Sequence, residues 1–295
     1  SILTAYIFML ITFLINFAVL RKGVSKGIEK MAFIAMPLLF IFAIVIVIRV
    51  FTLGTPDPVN HPDWSVMKGL AFIWEPRFEM LGDAKIWLAA AGQIFFALSI
   101  GMGTLSAYAS YLKPNDDIAL GAVSASFLNE FTEVILGGTI AIPVAVAFFG
   151  LQTTQEIAQG GAYNLGFVSM PIIFQNMPLG SIFGFLWFLM LFLAGITSSV
   201  AMAQPIISFL EEQFNFSKNK ATAIVGACVF IGMNLIVIFF QYGFLDEMDY
   251  WSGTFSLVFV ALIEIIVFAW ITVWIKGGMK LIEVEKLKFR KSFIL

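Results

Sequence analysis

Between Lys85 and Lys113 a long apolar stretch breaks in its own middle. Residues 86–105 could cross a bilayer, which takes about 20 apolar residues, yet residues 99–103 read Ser-Ile-Gly-Met-Gly. Each glycine costs about 1 kcal/mol in a helix relative to alanine. A break at that depth exposes N–H and C=O groups that hydrocarbon cannot satisfy, so they must face protein or a watery cavity. The chemistry on offer is main-chain capture of an ion or polar substrate near the midplane. A tolerated kink is the alternative, because glycine is common in membrane helices.

Three further places put costly groups inside apolar runs. Residues 118–149 carry Asn129, Glu130, Thr132 and Glu133, and the i, i+3, i+4 spacing of Asn129, Thr132 and Glu133 sets them on one helical face. A carboxylate at membrane depth costs several kcal/mol unless it is paired, protonated or hydrated. Residues 194–199 read Ala-Gly-Ile-Thr-Ser-Ser, and hydroxyl and carbonyl oxygens suit a small hard cation such as Na⁺. Small residues also let helices approach closely, so packing stays open for this segment. Glu264 is a lone acid in the last apolar run and reads as a buried, protonated structural group. Together the break and the polar faces favour an ion-coupled carrier.

These groups need a membrane scaffold to position them. The chain has 295 residues, 60% hydrophobic and 12% charged, against about 45–50% and 25% in soluble domains. A soluble fold could not hide this much apolar surface. A net charge of −2 says little about partners, and there is no basic domain for nucleic acid. Cys228 lies in an apolar run and reads as core, and a single cysteine excludes an internal disulfide. His61, the one histidine, sits in a polar loop, which argues against histidine catalysis or a multi-histidine metal site.

Seven apolar spans follow from length: 1–20, 31–53, 86–112, 118–149, 180–210, 221–241 and 251–275. Lys and Arg gather in alternate joints. Arg21, Lys22, Lys26 and Lys30 lie in the first, Lys113 in the third, Lys218 and Lys220 in the fifth, and Lys276 to Lys291 in the tail. The positive-inside rule puts these joints in the cytoplasm, so the chain starts outside. Ser1 is not an initiator Met, residues 1–20 form an apolar run and there is no signal-peptide pattern, so the chain reads as a piece of a longer polytopic protein. Two outer joints are long. Residues 54–85, with four prolines and with Trp64 and Trp74 suited to the interface, read as a structured surface loop. Residues 150–180 hold a short helix, with Thr153-Thr154-Gln155-Glu156 as a capping box and Gly160-Gly161 as its stop; it is a lid or a plain surface loop.

The motifs closely resemble the neurotransmitter:sodium symporter family, in particular its bacterial amino-acid transporters of the LeuT type. The matching stretches are 92–96, 108–111, 128–130, 133–138, 162–167, 194–199, 204–205 and 246–249, in order along almost the whole chain. The resemblance implies an all-α, polytopic inverted-repeat fold of twelve helices, truncated here at both ends to helices four to ten. Residues 1–53 would be the last two helices of the first repeat and 54–85 an extracellular loop. Residues 86–277 would be the second repeat with its lid loop 150–180, and 278–295 a cytoplasmic tail. The function implied is sodium-coupled symport of an amino acid across the cell inner (cytoplasmic) membrane by alternating access, with Na⁺ as coupling ion and lipid as surroundings, and no enzymatic activity.

The resemblance also implies roles. Carbonyls of Phe96, Ala97 and Ser99 would receive the substrate's amino group. Phe96, Met102, Ser198 and Met202 would line its side-chain pocket. Asn129 and the Ala97 carbonyl would contribute to one sodium site, and Ala194, Thr197 and Ser198 to a second. Glu133 would supply the negative charge that chloride supplies in animal members, implying chloride independence. Asp249 would be the acidic half of an outer gate, Tyr163 would lie on the lid, and Tyr111 and Glu212 would belong to a cytoplasmic gate. Ala97 stands where relatives often carry Thr or Ser, so a hydroxyl ligand is lost, and Glu212 replaces the commoner Asp. The flexible, polarisable Met102 and Met202 point to hydrophobic, bulky or aromatic L-amino acids. Rival readings are a seven-helix receptor, which lacks a mid-membrane Lys for a retinal Schiff base and does not explain the break, and an intramembrane enzyme, which lacks an HExxH motif and a nucleophile beside Glu130 and Glu133. An inactive fragment of a transporter is a third.

Overall fold

The computed structural model describes residues 2–113, 116–159, 161–267 and 270. The tail 278–295, the end of the seventh span and Gly160 lie outside the described residues. The described elements are helical: α1 (Ile2–Gly23), α2 (Lys30–Phe51), α3 (Val66–Trp74), α4 (Ala84–Ala97), α5 (Thr104–Ala109), α6 (Ile118–Glu130), α7 (Gly138–Gln159), α8 (Gly161–Tyr163), α9 (Met170–Gln175), α10 (Gly180–Phe214), α11 (Lys218–Phe239), α12 (Phe244–Asp249) and α13 (Leu257–Ile266). Wide π turns at 24–29, 131–137, 164–169 and 250–256 join several of them. Six runs are long and apolar enough to span a membrane: Leu3–Gly23, Lys26–Phe51, Ile118–Gln159, Gly180–Phe214, Lys218–Tyr242 and Phe244–Ile266. The remaining expected span is the interrupted one, split into α4 and α5. Large apolar side chains such as Phe8, Phe33, Ile48, Phe185 and Ile231 are exposed along these helices. That surface is stable only in lipid, and the chain is a multi-pass membrane protein.

The helices fall into two compact units. The first comprises residues 1–31, 80–127 and 196–295, the second 32–79 and 128–195, and α6 and α10 run through both. In the first unit α1 lies antiparallel to α11. Tyr6 donates a hydrogen bond to Asn234 at 2.5 Å, the rings of Phe13 and Phe230 meet edge-on at 5.4 Å, and Phe17 packs on Gly226. Leu20, Ile28, Val200, Ile207, Ala221 and Val225 form its buried core. Cys228 is exposed on α11, not buried as its apolar setting suggested. In a membrane protein an apolar neighbourhood marks lipid as readily as core, because both solvents are equally apolar.

The second unit is built on α7. Ile140, Val144, Ala145 and Ala147 pack with Ala43, Ile46 and Val50 of α2 and with Met170 and Ile173 around α9. The long joint 54–85 is a docked element, as a structured loop should be. Ser65 caps α3 by accepting the Lys68 N–H at 3.2 Å, and Gly69 lets α3 close onto Pro143, where a Cβ would come within 2.5 Å of the Pro143 Cα.

One local expectation changes. The capping box at 153–156 does not form. α7 instead breaks at Gly150, φ 76° and ψ 167°, and resumes at once, so Thr154 sits a turn inside the helix and its hydroxyl donates to the Gly150 carbonyl at 2.7 Å. Gly150 serves as the start signal because a left-handed φ ends the preceding helix without side-chain strain. The acidic joint near 241–250 is also helical: Asp246 and Glu247 occupy the first turn of α12, where the helix dipole favours negative charge.

Candidate functional site at a broken helix

α4 starts on Asp83, whose carboxylate accepts the Lys85 N–H at 2.9 Å, and stops at Ala97. The Ser99 N–H turns back to the Phe96 carbonyl at 3.0 Å and that of Ile100 to Phe95 at 2.9 Å. Ser99, Gly101 and Gly103 then have φ of 56°, 80° and 69° before α5 begins at Thr104. Three left-handed residues in five disrupt the i→i−4 ladder across the break.

The break is held from α13. The Gly101 N–H donates to Glu264 Oε2 at 3.0 Å. Gly101 also lies so close to α13 that a Cβ would approach the Leu257 carbonyl to 2.8 Å and the Ala261 nitrogen to 3.0 Å. The lone acid thus has a specific task, terminating a broken helix by satisfying one of its orphan amides. Glu264 was legible as an expensive intramembrane acid, which by default signals function, but only the fold reveals its partner.

The expected substrate residues cluster on this unit. Phe96 and Ala97 end α4, Ser99 and Met102 form the break, and Ser198 and Met202 lie one turn apart on α10. Phe96 and Met202 are half exposed. α10 also comes up to the far side of the break, where a Cβ on Gly103 would sit 3.9 Å from Pro205. One expected ligand is already engaged. The Phe96 carbonyl accepts from both Leu98 and Ser99, filling its two lone pairs. Beside the break, Thr104 Oγ1, Tyr108 OH and Gln204 Oε1 are buried without a hydrogen-bond partner among the described residues, the kind of orphan that calls for explanation in a native interior.

On α10, Ala194, Thr197 and Ser198 fall at i, i+3 and i+4 on one face. The neighbouring Ser199 hydroxyl donates to Asn16 Oδ1 of α1 at 2.6 Å, and Asn16 Nδ2 donates to the Thr12 carbonyl at 2.9 Å. This link fixes the rotation of α10 where the oxygen-bearing turn lies, and the sequence did not mark Asn16. In the second unit Asn129 Nδ2 donates to Glu133 Oε2 at 3.4 Å. Glu133 lies in the π turn 131–137, a widening often found at functional sites. Thr132 turns away from that pair and donates to its own Leu128 carbonyl at 2.6 Å.

The expected gate residues are spread out. Tyr163 forms the end of α8 and stacks on Phe167 at 5.3 Å. Tyr111 follows α5, Glu212 lies near the end of α10, and Asp249 closes α12 with its carboxylate against Gly253.

An all-α scaffold of membrane-spanning helices with one span broken at residues 99–103 defines a polytopic membrane protein. The profile of the Sodium:neurotransmitter symporter family matches residues 3–286, and the chain belongs to that family, one of secondary transporters and not of enzymes. It is 32% identical over 273 residues to an uncharacterised sodium-dependent transporter of Methanocaldococcus jannaschii, covering 91% of this chain and 52% of that protein. It is 28% identical over 271 residues to the sodium-dependent nutrient amino acid transporter 1 of Drosophila yakuba, covering 89% and 40%. Among solved structures, MhsT in complex with L-phenylalanine matches with a TM-score of 0.73 at 28% identity, covering 88% of this chain and 57% of MhsT. The chain spans about half the length of the curated relatives it matches.

Proposed function

We propose that the protein carries out sodium-coupled, chloride-independent symport of hydrophobic L-amino acids across the cytoplasmic membrane by alternating access, and that the described helices correspond to helices four to ten of the family's twelve. The observation that carries this reading is the break at residues 99–103, which includes Met102 and is pinned by Glu264. The carbonyls of Ala97 and Ser99 would accept an ammonium group at the break. Met102, Met202 and Phe96 adapt to a bulky apolar side chain. The phenylalanine bound to MhsT supports the substrate class.

Na⁺ is cargo in this scheme, and oxygen donors are its natural ligands. Ala194, Thr197 and Ser198 offer one set from a single face of α10. Asn129 in the second unit and the Ala97 carbonyl in the first each offer a further oxygen, and position 97 lacks the hydroxyl that Thr or Ser would add. Glu133, hydrogen-bonded to Asn129, supplies a fixed negative charge that offsets the bound cation without a mobile anion. Asp249, Tyr163, Tyr111 and Glu212 are the gate residues of this proposal.

The test is equilibrium binding of labelled Phe, Leu and Trp to the purified protein. Binding should require Na⁺ and vanish when K⁺ replaces it, and Na⁺-independent binding sinks the proposal. Glu133→Ser should convert chloride-indifferent uptake into chloride-dependent uptake; indifference retained in that variant removes the role given to Glu133.

A further inference from the structure

The second unit carries a cavity that none of this uses. It has a volume of about 350 Å³, within reach of the lower range of small-molecule sites. Its floor and walls are apolar, with the buried Ile173 and Ala147, the half-buried Phe148 and, at the rim, the exposed Ile172. One wall is a preformed aromatic plate. The rings of His61 and Trp64 stack at 3.7 Å and 8°, and the indole edge is wedged against Gly150, where a Cβ would come within 2.6 Å. A plate fixed on both sides costs little entropy when a ligand packs on it.

The polar groups at the mouth are biased one way. Asp57 accepts from the Asn60 N–H at 3.1 Å and from Asn60 Nδ2 at 2.9 Å, and the side-chain bond above all holds its carboxyl below the ordinary value of 3.8. It therefore stays anionic at neutral pH. No Lys or Arg pairs with it among the described residues: Lys68 reaches Asp63 at 4.0 Å, and Arg49 bonds Thr52 and the Pro178 carbonyl; the titratable group that faces it is the His61 imidazole. Asn176 spends one of its two amide N–H donors on the Ile172 carbonyl at 2.8 Å, and its oxygen can accept. The mouth thus presents a carboxylate and an amide oxygen, both acceptors, over an apolar and aromatic interior.

We propose that this cavity is a binding site for an organic ammonium ion bearing an aromatic or branched apolar group, with the ammonium at Asp57 and Asn176 and the apolar group inside. All of its residues belong to the second unit, whereas the broken helix belongs to the first, so it is a site in its own right. The proposal does not depend on the transport reading.

The experiment is calorimetric titration of the full-length protein with 2-phenylethylamine, and with 3-phenylpropionate as the anionic counterpart. The amine should bind and the anion should not. Asp57→Asn should weaken the amine at least tenfold, the loss expected for a charge-assisted contact. Ile172→Trp fills the cavity from its exposed rim without touching the Asp57–Asn60 turn, and should weaken it to a similar degree even if Asp57→Asn loosens that turn. Both variants should keep the wild-type affinity for the transported amino acid, since neither residue belongs to that site. Absence of amine binding, equal binding of amine and anion, or wild-type amine affinity in Ile172→Trp overturns the proposal.

Discussion

Two helices in this protein break at a left-handed glycine, and they break differently. Between α4 and α5 the interruption runs from Leu98 to Gly103, with positive φ at Ser99, Gly101 and Gly103. At Gly150 in α7 a single residue departs from helix and the chain resumes at once. The first break leaves main-chain groups to be satisfied, and one of them, the Gly101 N–H, is met by a carboxylate from another helix. The second is sealed: the indole of Trp64 fills the space beside Gly150, and the Gly150 carbonyl accepts the Thr154 hydroxyl. An open break anchored by an acidic side chain from another helix offers dipoles to a ligand. A closed one only redirects the helix. The length of the non-helical segment and the nature of its neighbour, acid or aromatic, separate a site from a joint.

The largest effect should come from Gly101→Val. A β-branched residue at φ 80° is strained, by an amount on the order of 1–3 kcal/mol, and its Cβ would collide with α13 as well. Amino-acid binding should fall by a hundredfold or more in a scintillation proximity assay. Wild-type affinity in that variant would mean the break is not part of the site.

Glu264→Leu comes next. It removes the acceptor but keeps bulk, and leaving the Gly101 amide unpaired should cost about 1–3 kcal/mol. That corresponds to a roughly ten- to hundredfold weaker substrate affinity, with Glu264→Gln recovering part of it through its amide oxygen. If the loss appears only as lowered thermal stability, Glu264 is a packing group and the contrast with Gly150 loses its chemical basis.

The smallest effect on binding belongs to Gly150→Ala. The added Cβ meets the indole, so the melting temperature should drop while substrate affinity stays within about twofold, a difference below 0.5 kcal/mol. Trp64→Ala in the same chain should restore part of the stability, as expected for residues in contact. A large change in affinity at this joint would show that the two breaks are not distinct in kind.

By itself the sequence determined the solvent, and the solvent determined much else. Long apolar runs bounded by Lys and Arg can be stable only as membrane helices, so the helical class, the spans and the position of the broken one followed from hydropathy and glycine content. The motif order then pointed to the family. Short-range rules were weaker guides. The Thr153–Glu156 pattern resembled a cap, but the positive φ of Gly150 started that helix three residues earlier. Cys228 looked buried because lipid and protein interior are alike in polarity, and only neighbours distinguish them.

Tertiary structure decided which polar groups meet. Glu264 and Gly101 are 163 residues apart and Ser199 and Asn16 are 183 apart. No periodicity links such pairs, because a helix relates a residue to those three or four positions away and is blind to what packs across from it. The cavity at Asp57 and the wedge of Trp64 on Gly150 likewise exist only once α3 has docked on α7. Periodicity fixes faces within one helix; contact between helices depends on the shape of both, and that is settled only when they pack.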